Sequence, residues 1–288
     1  MEELINYLNK IGKLNYISAI LRWEMDTTSP AKSQDYLIGV SSEVQMKNFK
    51  LSTSEDFINL LNKIDTDKLD YVDSTYINTL KEDYHRFKRV PESFYNEYIV
   101  LKDKSLNSWV KAKKENNYNI FKPYLMEIIN KTKELYKYMY PESDNLYDSM
   151  LSTYEKRINT ELIDKLFTDL KKEIIPIIKN LKKKSITKIN KKYTDEELKK
   201  ISSYLLDYIG FDNSRGALGI YTHGYTMKMN NNDVRIAFSN ESNIIDHIST
   251  TINEGGHGIF EQNISEEINK YDSYDKNDFK ILSKQYVF

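Results

Sequence analysis

"TTINEGGHGIFEQN", residues 250–263, sets Glu254 three residues before His257 and surrounds them with glycines at 255, 256 and 258. The residues just before it supply Ile244, Ile248 and Ile252, a helical spacing that predicts one helix through the whole stretch. On such a helix Asn253 and His257, four residues apart, share a face. Each glycine disfavours a helix interior by about 1 kcal/mol relative to alanine. Three of them within one turn imply that another backbone or a bound molecule approaches very closely.

Upstream of this helix the character of the chain changes at Gly210. Seven of the nine glycines lie between 210 and 258, so the backbone there turns or makes close approaches that the rest does not. "LGIYTHGYTMKM" and "DVRIAFS" are rich in β-branched and aromatic residues, and "NNND" between them is turn chemistry, which together predict a small antiparallel β-hairpin. Before Gly210 the apolar residues recur every three or four positions. In "TELIDKLFTDLKKEIIPIIKNL", Ile163, Leu166, Phe167, Leu170, Ile174, Ile177, Ile178 and Leu181 make one stripe, read as the core-facing side of a helix that Pro176 should kink unless local packing frees that turn's hydrogen bond. Thr194 and Glu197 have the spacing of a capping box, predicting a helix from about Asp195 that stops near Gly210. The fold class expected is therefore mainly α, a multi-helix chain with a small hairpin. It divides into a helical region, 1–209, and a hairpin-plus-site-helix region, 210–288.

Composition narrows the function. The 288 residues suffice for a substantial core, and 42 Lys plus Arg against 43 Asp plus Glu leave no field of one sign to attract nucleic acid or an anionic membrane. The basic stretch "KKKSITKINKKY", 182–193, has no glycine cradle or interleaved aromatics and reads as a solvated connector. Without cysteine there are no disulfides, thiolate ligands or thiol nucleophiles, and the acidic start "MEELINYLNK" lacks the layout of a signal peptide, so a cytoplasmic protein is expected. No apolar run approaches the ~20 residues of a membrane span.

Taken alone, the E-x-x-H spacing is a weak signal with two readings, a structural histidine on a helix, which is the commoner case, and a metal site. In an HExxH helix two histidines one turn apart grip zinc while the glutamate between them faces the metal-bound water. Catalytic zinc takes three protein ligands and lowers the pKa of that water to about 7. Here Glu254 supplies the carboxylate and His257 one imidazole, while Asn253 stands where the other imidazole would be. An amide oxygen is a much poorer zinc donor. Glu261, four residues beyond His257, is either an improvised ligand or an ordinary polar helix residue. His223 and Arg235 either line a substrate groove or serve as a hairpin histidine and a paired arginine. His85 and His247 read as surface or packing residues.

Longer-range motifs give this fragment a context. "LRWEMDTTSPAKSQD" at 21–35, the helical middle "LKEDYHRFKRVPESFYNEYIVLKDKSLNSWVKAKKENNYNIFKPYL", the "LYDSMLSTYEKRINTELIDKLFTDLKKEIIPII" that follows, "IGFDNSRGALGIYTHGYT", "NNDVRI" and "NEGGHGIFEQN" occur in that order. So arranged, the chain resembles the carboxypeptidase Taq (M32) zinc metallocarboxypeptidases, with the last three segments where that family has its HPF, DxRxT and HExxH motifs. The resemblance implies release of single residues from peptide C-termini, with Glu254 as general base, His257 as zinc ligand and His223 and Arg235 near the substrate. It also implies a homodimer. Departures matter as well: Gly224 and Tyr225 follow His223 where the family has Pro and Phe, Ala237 and Phe238 stand where threonine is usual, and Asn253 replaces a zinc ligand. The family's third ligand, a glutamate on a downstream helix, has no counterpart before "SKQYVF" at the end of the sequence. The expectation is a truncated or split member of the class, with zinc binding impaired unless a second, complementing chain completes it. The rival expectation is a catalytically silent helical protein kept for binding a peptide or partner.

Overall fold

The computed structural model describes residues 2–156, 158–181, 189, 191–240 and 243–265. Most of the basic connector and everything after 265 lie outside the described residues. Among those described, the chain order is α1 (Glu2–Thr27), α2 (Gln34–Ser52), α3 (Glu55–Asn62), α4 (Tyr71–Phe87), α5 (Glu92–Lys114), α6 (Tyr118–Met139), α7 (Leu146–Tyr154), α8 (Thr160–Asn180), α9 (Asp195–Ile209), β1 (Gly216–Ile220), β2 (Tyr225–Asn230), β3 (Asp233–Phe238) and α10 (Ile244–Gln262).

The helical body has two apolar centres. Leu4, Leu8 and Ile11 of α1 meet Phe57 and Leu61 of α3 and Ile77 and Leu80 of α4. Phe49 of α2, Phe94, Tyr98 and Ile99 of α5 and Leu135 and Met139 of α6 form the other. Local signals set the helix ends. Thr194 accepts from the Glu197 amide at 3.2 Å while the Glu197 carboxylate accepts from the Thr194 amide at 2.8 Å, and Gly210 closes α9 in the left-handed region at φ 91°.

The hairpin is present as β2 and β3, but it belongs to a three-stranded sheet of order β1-β3-β2. The stretch read as one strand from Leu218 to Met229 is split. Its first part pairs with β3 in parallel, Leu218 opposite Ile236, and its second part pairs antiparallel, Thr226 opposite Ile236. The break falls at residues 221–224, where a Cβ on Gly224 would lie 2.3 Å from Thr250 Cγ2 of α10. Alternation then sorts the sheet's faces. Tyr225, Met227 and Ala237 pack on Ala19 and Trp23 of α1, whereas Val234 and Ile236 pack on Leu206 of α9 and on Phe211.

The reading of α8 as core-facing is corrected by the structure. None of its residues is buried, and Leu166, Ile177 and Ile178 are 62%, 62% and 59% exposed. The amphipathic pattern is real and carries the helix through Pro176, but among the described residues only its start is tied down, by the Thr160 amide donating to Asp148 Oδ1 at 2.7 Å. Periodicity reports that a helix has an apolar side; it does not report what covers that side.

Candidate functional site

Helix α10 starts at Asn243, whose side chain accepts from the amides of Ile245 and Asp246. Its inward side, Ile244, His247, Thr251, Gly255, Gly258 and Gln262, is buried. The glycines there explain themselves by packing. A Cβ on Gly255 would meet Ile209 Cδ1 at 2.5 Å and Leu206 Cδ2 at 2.6 Å, and one on Gly258 would meet Phe211 Cε2 at 2.6 Å. At Gly256 nothing among the described residues lies within 4 Å. His247 is buried, set edge-on to Phe238, and its Nε2 is 3.0 Å from Ser202 Oγ, which is itself 3.2 Å from Thr251 Oγ1. It pins α10 to α9, the packing role expected of it.

The helix turns Asn253 and His257 to the open side, with Glu254 half-buried at the sheet edge. Both oxygens of the Glu254 carboxylate are engaged: Oε2 accepts from Thr226 Oγ1 at 2.8 Å and Oε1 from Asn253 Nδ2 at 3.1 Å. The Thr226 hydroxyl also lies 2.8 Å from the Glu254 carbonyl. Asn253, the residue in place of the expected imidazole, thus holds the neighbouring carboxylate. Thr226 was missed in the sequence; its signal was alternation, since it lies between Tyr225 and Met227, which face α1, and so points to the other face, toward α10.

His223 sits in the loop before β2, half-buried, and burial lowers its pKa below the ordinary imidazole value, opposed by the Glu254 charge and reinforced by Lys113. Lys113 is placed there by donating to the Thr222 carbonyl at 2.6 Å and lying over the Trp109 ring. His223 therefore lies within the field of the Glu254 carboxylate, whose helix also carries His257.

Arg235 is not brought to this group. It lies on the α1 side of the sheet, donating to Asp233 at 2.8 and 2.9 Å and stacked over Trp23 at 5.6 Å, while Asp233 also accepts from Tyr16 at 2.9 Å. Donating to the Asp233 carboxylate raises its pKa, the mark of a paired arginine. Glu261 is drawn toward Lys228, 3.7 Å away and almost fully buried at the side chain.

Among the described residues no group of three or more His, Asp or Glu side chains is gathered to hold a metal ion. One exposed imidazole, one amide and a carboxylate already held by two donors do not make a catalytic zinc site by themselves. In addition, no helix of the described residues is long and apolar enough to cross a membrane.

Comparison with known proteins follows the same lines. The family model described as carboxypeptidase Taq (M32) metallopeptidase matches residues 3–279. The chain is 27% identical to carboxypeptidase 1 of Bacillus subtilis, covering 100% of this chain and 58% of that protein. It is 22% identical to thermostable carboxypeptidase 1 of Pyrococcus furiosus, covering 91% and 54%. The crystal structure of BsuCP superposes with a TM-score of 0.86 at 28% identity, over 93% of this chain and 55% of that one. An M32 carboxypeptidase from Deinococcus radiodurans R1, at 19% identity and a TM-score of 0.77, shares the fold. The chain thus spans a little over half the length of the relatives it matches.

Proposed function

The chain belongs to the carboxypeptidase Taq (M32) metallopeptidase family, and from that membership we propose that it carries part of the active site of a zinc metallocarboxypeptidase that removes residues from peptide C-termini. Glu254 is the general base and His257 a zinc donor. Asn253 occupies a ligand position and serves instead to hold Glu254, and His223 lines the approach of the peptide. Arg235, with its fork taken by Asp233, braces the hairpin. The observation that carries the reading is the Glu254 carboxylate, fixed by Thr226 and Asn253 one turn from His257 on the matched helix.

The donor set implies impairment. Structural zinc binding of roughly 10 to 16 kcal/mol shared among about four ligands gives on the order of 3 to 4 kcal/mol for each, or several hundredfold in affinity. The described residues do not fit a complete zinc site, so the missing donors come from outside them, as from a complementing chain. A cytoplasmic setting and a homodimer accompany this reading.

The test is zinc binding and C-terminal trimming by the purified chain and by Asn253→His. Wild type should bind zinc too weakly to copurify with it, and Asn253→His should gain on the order of several hundredfold in affinity. Stoichiometric zinc and brisk trimming by wild type would remove the impairment, and no gain in the variant would remove the site. A second reading is favoured by the uncovered stripe of α8: a catalytically silent protein that binds a peptide or partner. It gains ground if neither variant binds metal while wild type still retains peptides.

A further inference from the structure

The two edges of the sheet are built differently. β2 carries two features that natural edges use against unwanted pairing: a bulge between Lys228 and Asn230, and an inward-pointing charge, the Lys228 side chain being 7% exposed. β1 carries neither. It reads "GALGI", without charge or proline, pairs with β3 residue for residue from Gly216 to Ile220, and on its other side has no strand partner among the described residues. Along that open side runs a groove of about 540 Å³, between Lys199, Ser203 and Asp207 of α9 and Gly216, Ala217 and Leu218 of β1. The spacing of the α9 row is what gives the groove a pattern. Four helical residues rise about 6 Å, nearly the interval of about 6.6 Å between alternate residues of a strand. One face of a strand added to β1 would therefore meet a cation, a hydroxyl and an anion in turn. Lys199 and Asp207 are both exposed. Lys199 has no ion pair among the described residues, since Glu196 is taken by Lys200 and Glu197 by Lys191, and Asp207 accepts from the neutral side chain of Asn213.

We propose that the open edge of β1 docks an extended peptide segment of a partner protein, taken up as an antiparallel fourth strand with an acidic residue at Lys199, a small polar one at Ser203 and a basic one at Asp207. Main-chain hydrogen bonds along the edge supply the attraction, and the three α9 side chains supply the selection. The order of the charges follows from the run of the chain. Asp207 and Asn213 stand at the Gly216 end of the groove, whereas Leu198 and Ile201 pack with Leu218 and Ile220 at the other, so α9 and β1 run in opposite senses. A strand antiparallel to β1 runs with α9, and its pattern from the N-terminus is acid-x-Ser/Thr-x-base. This edge lies across the sheet from β2, whose Thr226 holds Glu254, and the docking does not rest on the metallocarboxypeptidase reading.

The probe is the capped, fluorescently labelled peptide TEVSVKT, titrated with the purified chain and read by polarisation. Its C-terminal amide removes the carboxylate that a carboxypeptidase site would engage. Wild type should bind it saturably and about tenfold or more tighter than the charge-reversed TKVSVET, which sets like charges against both ends of the row. The double variant Lys199→Glu/Asp207→Lys should invert that preference while keeping the circular dichroism and melting temperature of wild type, because both side chains are exposed. Two further peptides carry N-methyl groups on alternate backbone nitrogens. One should lose binding and the other keep it, since in an antiparallel pair only every second amide faces the edge. No binding by wild type, equal affinity for the two charge patterns, a preference unmoved by the double variant, or equal effects of the two methylations overturns the proposal. A wild-type dimer that Lys199→Glu splits and that leaves the peptide unbound also overturns it, since the edge is then paired with a second copy.

Discussion

The three glycines of α10 look alike in sequence and differ in what surrounds them. Gly258 is held against the ring of Phe211, which also closes on Gly216, where a Cβ would lie 2.4 Å from Phe211 Cε1. Gly258→Ala should therefore destabilise the chain by about 1–3 kcal/mol, the usual cost of overpacking, and Gly256→Ala should stabilise it by about 1 kcal/mol through helix propensity. Urea unfolding of the two variants checks this, and equal shifts of the same sign would defeat it. The sequence made the close approach legible without naming the partner, because Phe211 lies dozens of residues away and only the fold brings it there. His247 carries a second expectation. Burial lowers its pKa from 6.5, opposed by the nearby backbone carbonyls of Ser239 and Leu198, and burial lowers that of His223 likewise. As pH falls below the unfolded value the unfolded chain takes up these protons first, so stability is complete above about pH 6.5 and declines beneath it, by up to about 1.4 kcal/mol per pH unit for each proton. Urea midpoints between pH 8 and 5.5 read the sign directly; a rise on acidification would contradict it.

At the scale of elements, some features are local and others are not. The capping box at Thr194 and the stop at Gly210 were legible because their partners lie within a few residues. The hairpin turn was legible for the same reason, but the parallel pairing of β1 with β3 was not, since strand composition carries no information about which neighbour a strand chooses. Helix α8 shows the limit from the other side: a full apolar stripe, correctly read as helical, lies in the open. It follows that Leu166→Lys and Ile177→Lys should change stability by no more than about 0.5 kcal/mol, whereas Ile77→Ala, at a wholly buried site on α4, should cost about 2–5 kcal/mol. Losses of core size from the α8 variants, seen in the same denaturation series, would mean that the stripe is packed after all. That Asn253, Glu254 and His257 share one helix was legible from the apolar spacing, while Thr226 emerged only when β2 was laid beside α10.

Across the whole molecule, one buried charge cluster joins the helical body to the sheet. Arg22 of α1 pairs with Asp26 on its own helix and reaches Asp103 of α5 at 3.3 Å, and Tyr225 of β2 donates to Asp26 Oδ2 at 3.1 Å. Trp23 beside it closes on Gly219 of β1, where a Cβ would lie 2.7 Å from the indole, and lies edge-on to Tyr225. One guanidinium thus serves two carboxylates, and three elements far apart in the chain meet at it. Buried ion pairs add little net stability because desolvation offsets their attraction, yet removing one partner strands the others. Arg22→Leu leaves Asp26 and Asp103 without their cation and should cost about 3–5 kcal/mol. If the cluster couples the body to the sheet, that loss appears as a single cooperative transition moved to lower temperature, seen alike by far-ultraviolet circular dichroism and by the fluorescence of Trp23 and Trp109. Two separated transitions in wild type would instead mean that residues 1–209 and 210–288 unfold as independent units, and a neutral Arg22→Leu would mean that solvent reaches the carboxylates. The site helix depends on this coupling, because Thr226, which holds Glu254, lies on β2 next to the tyrosine that completes the cluster.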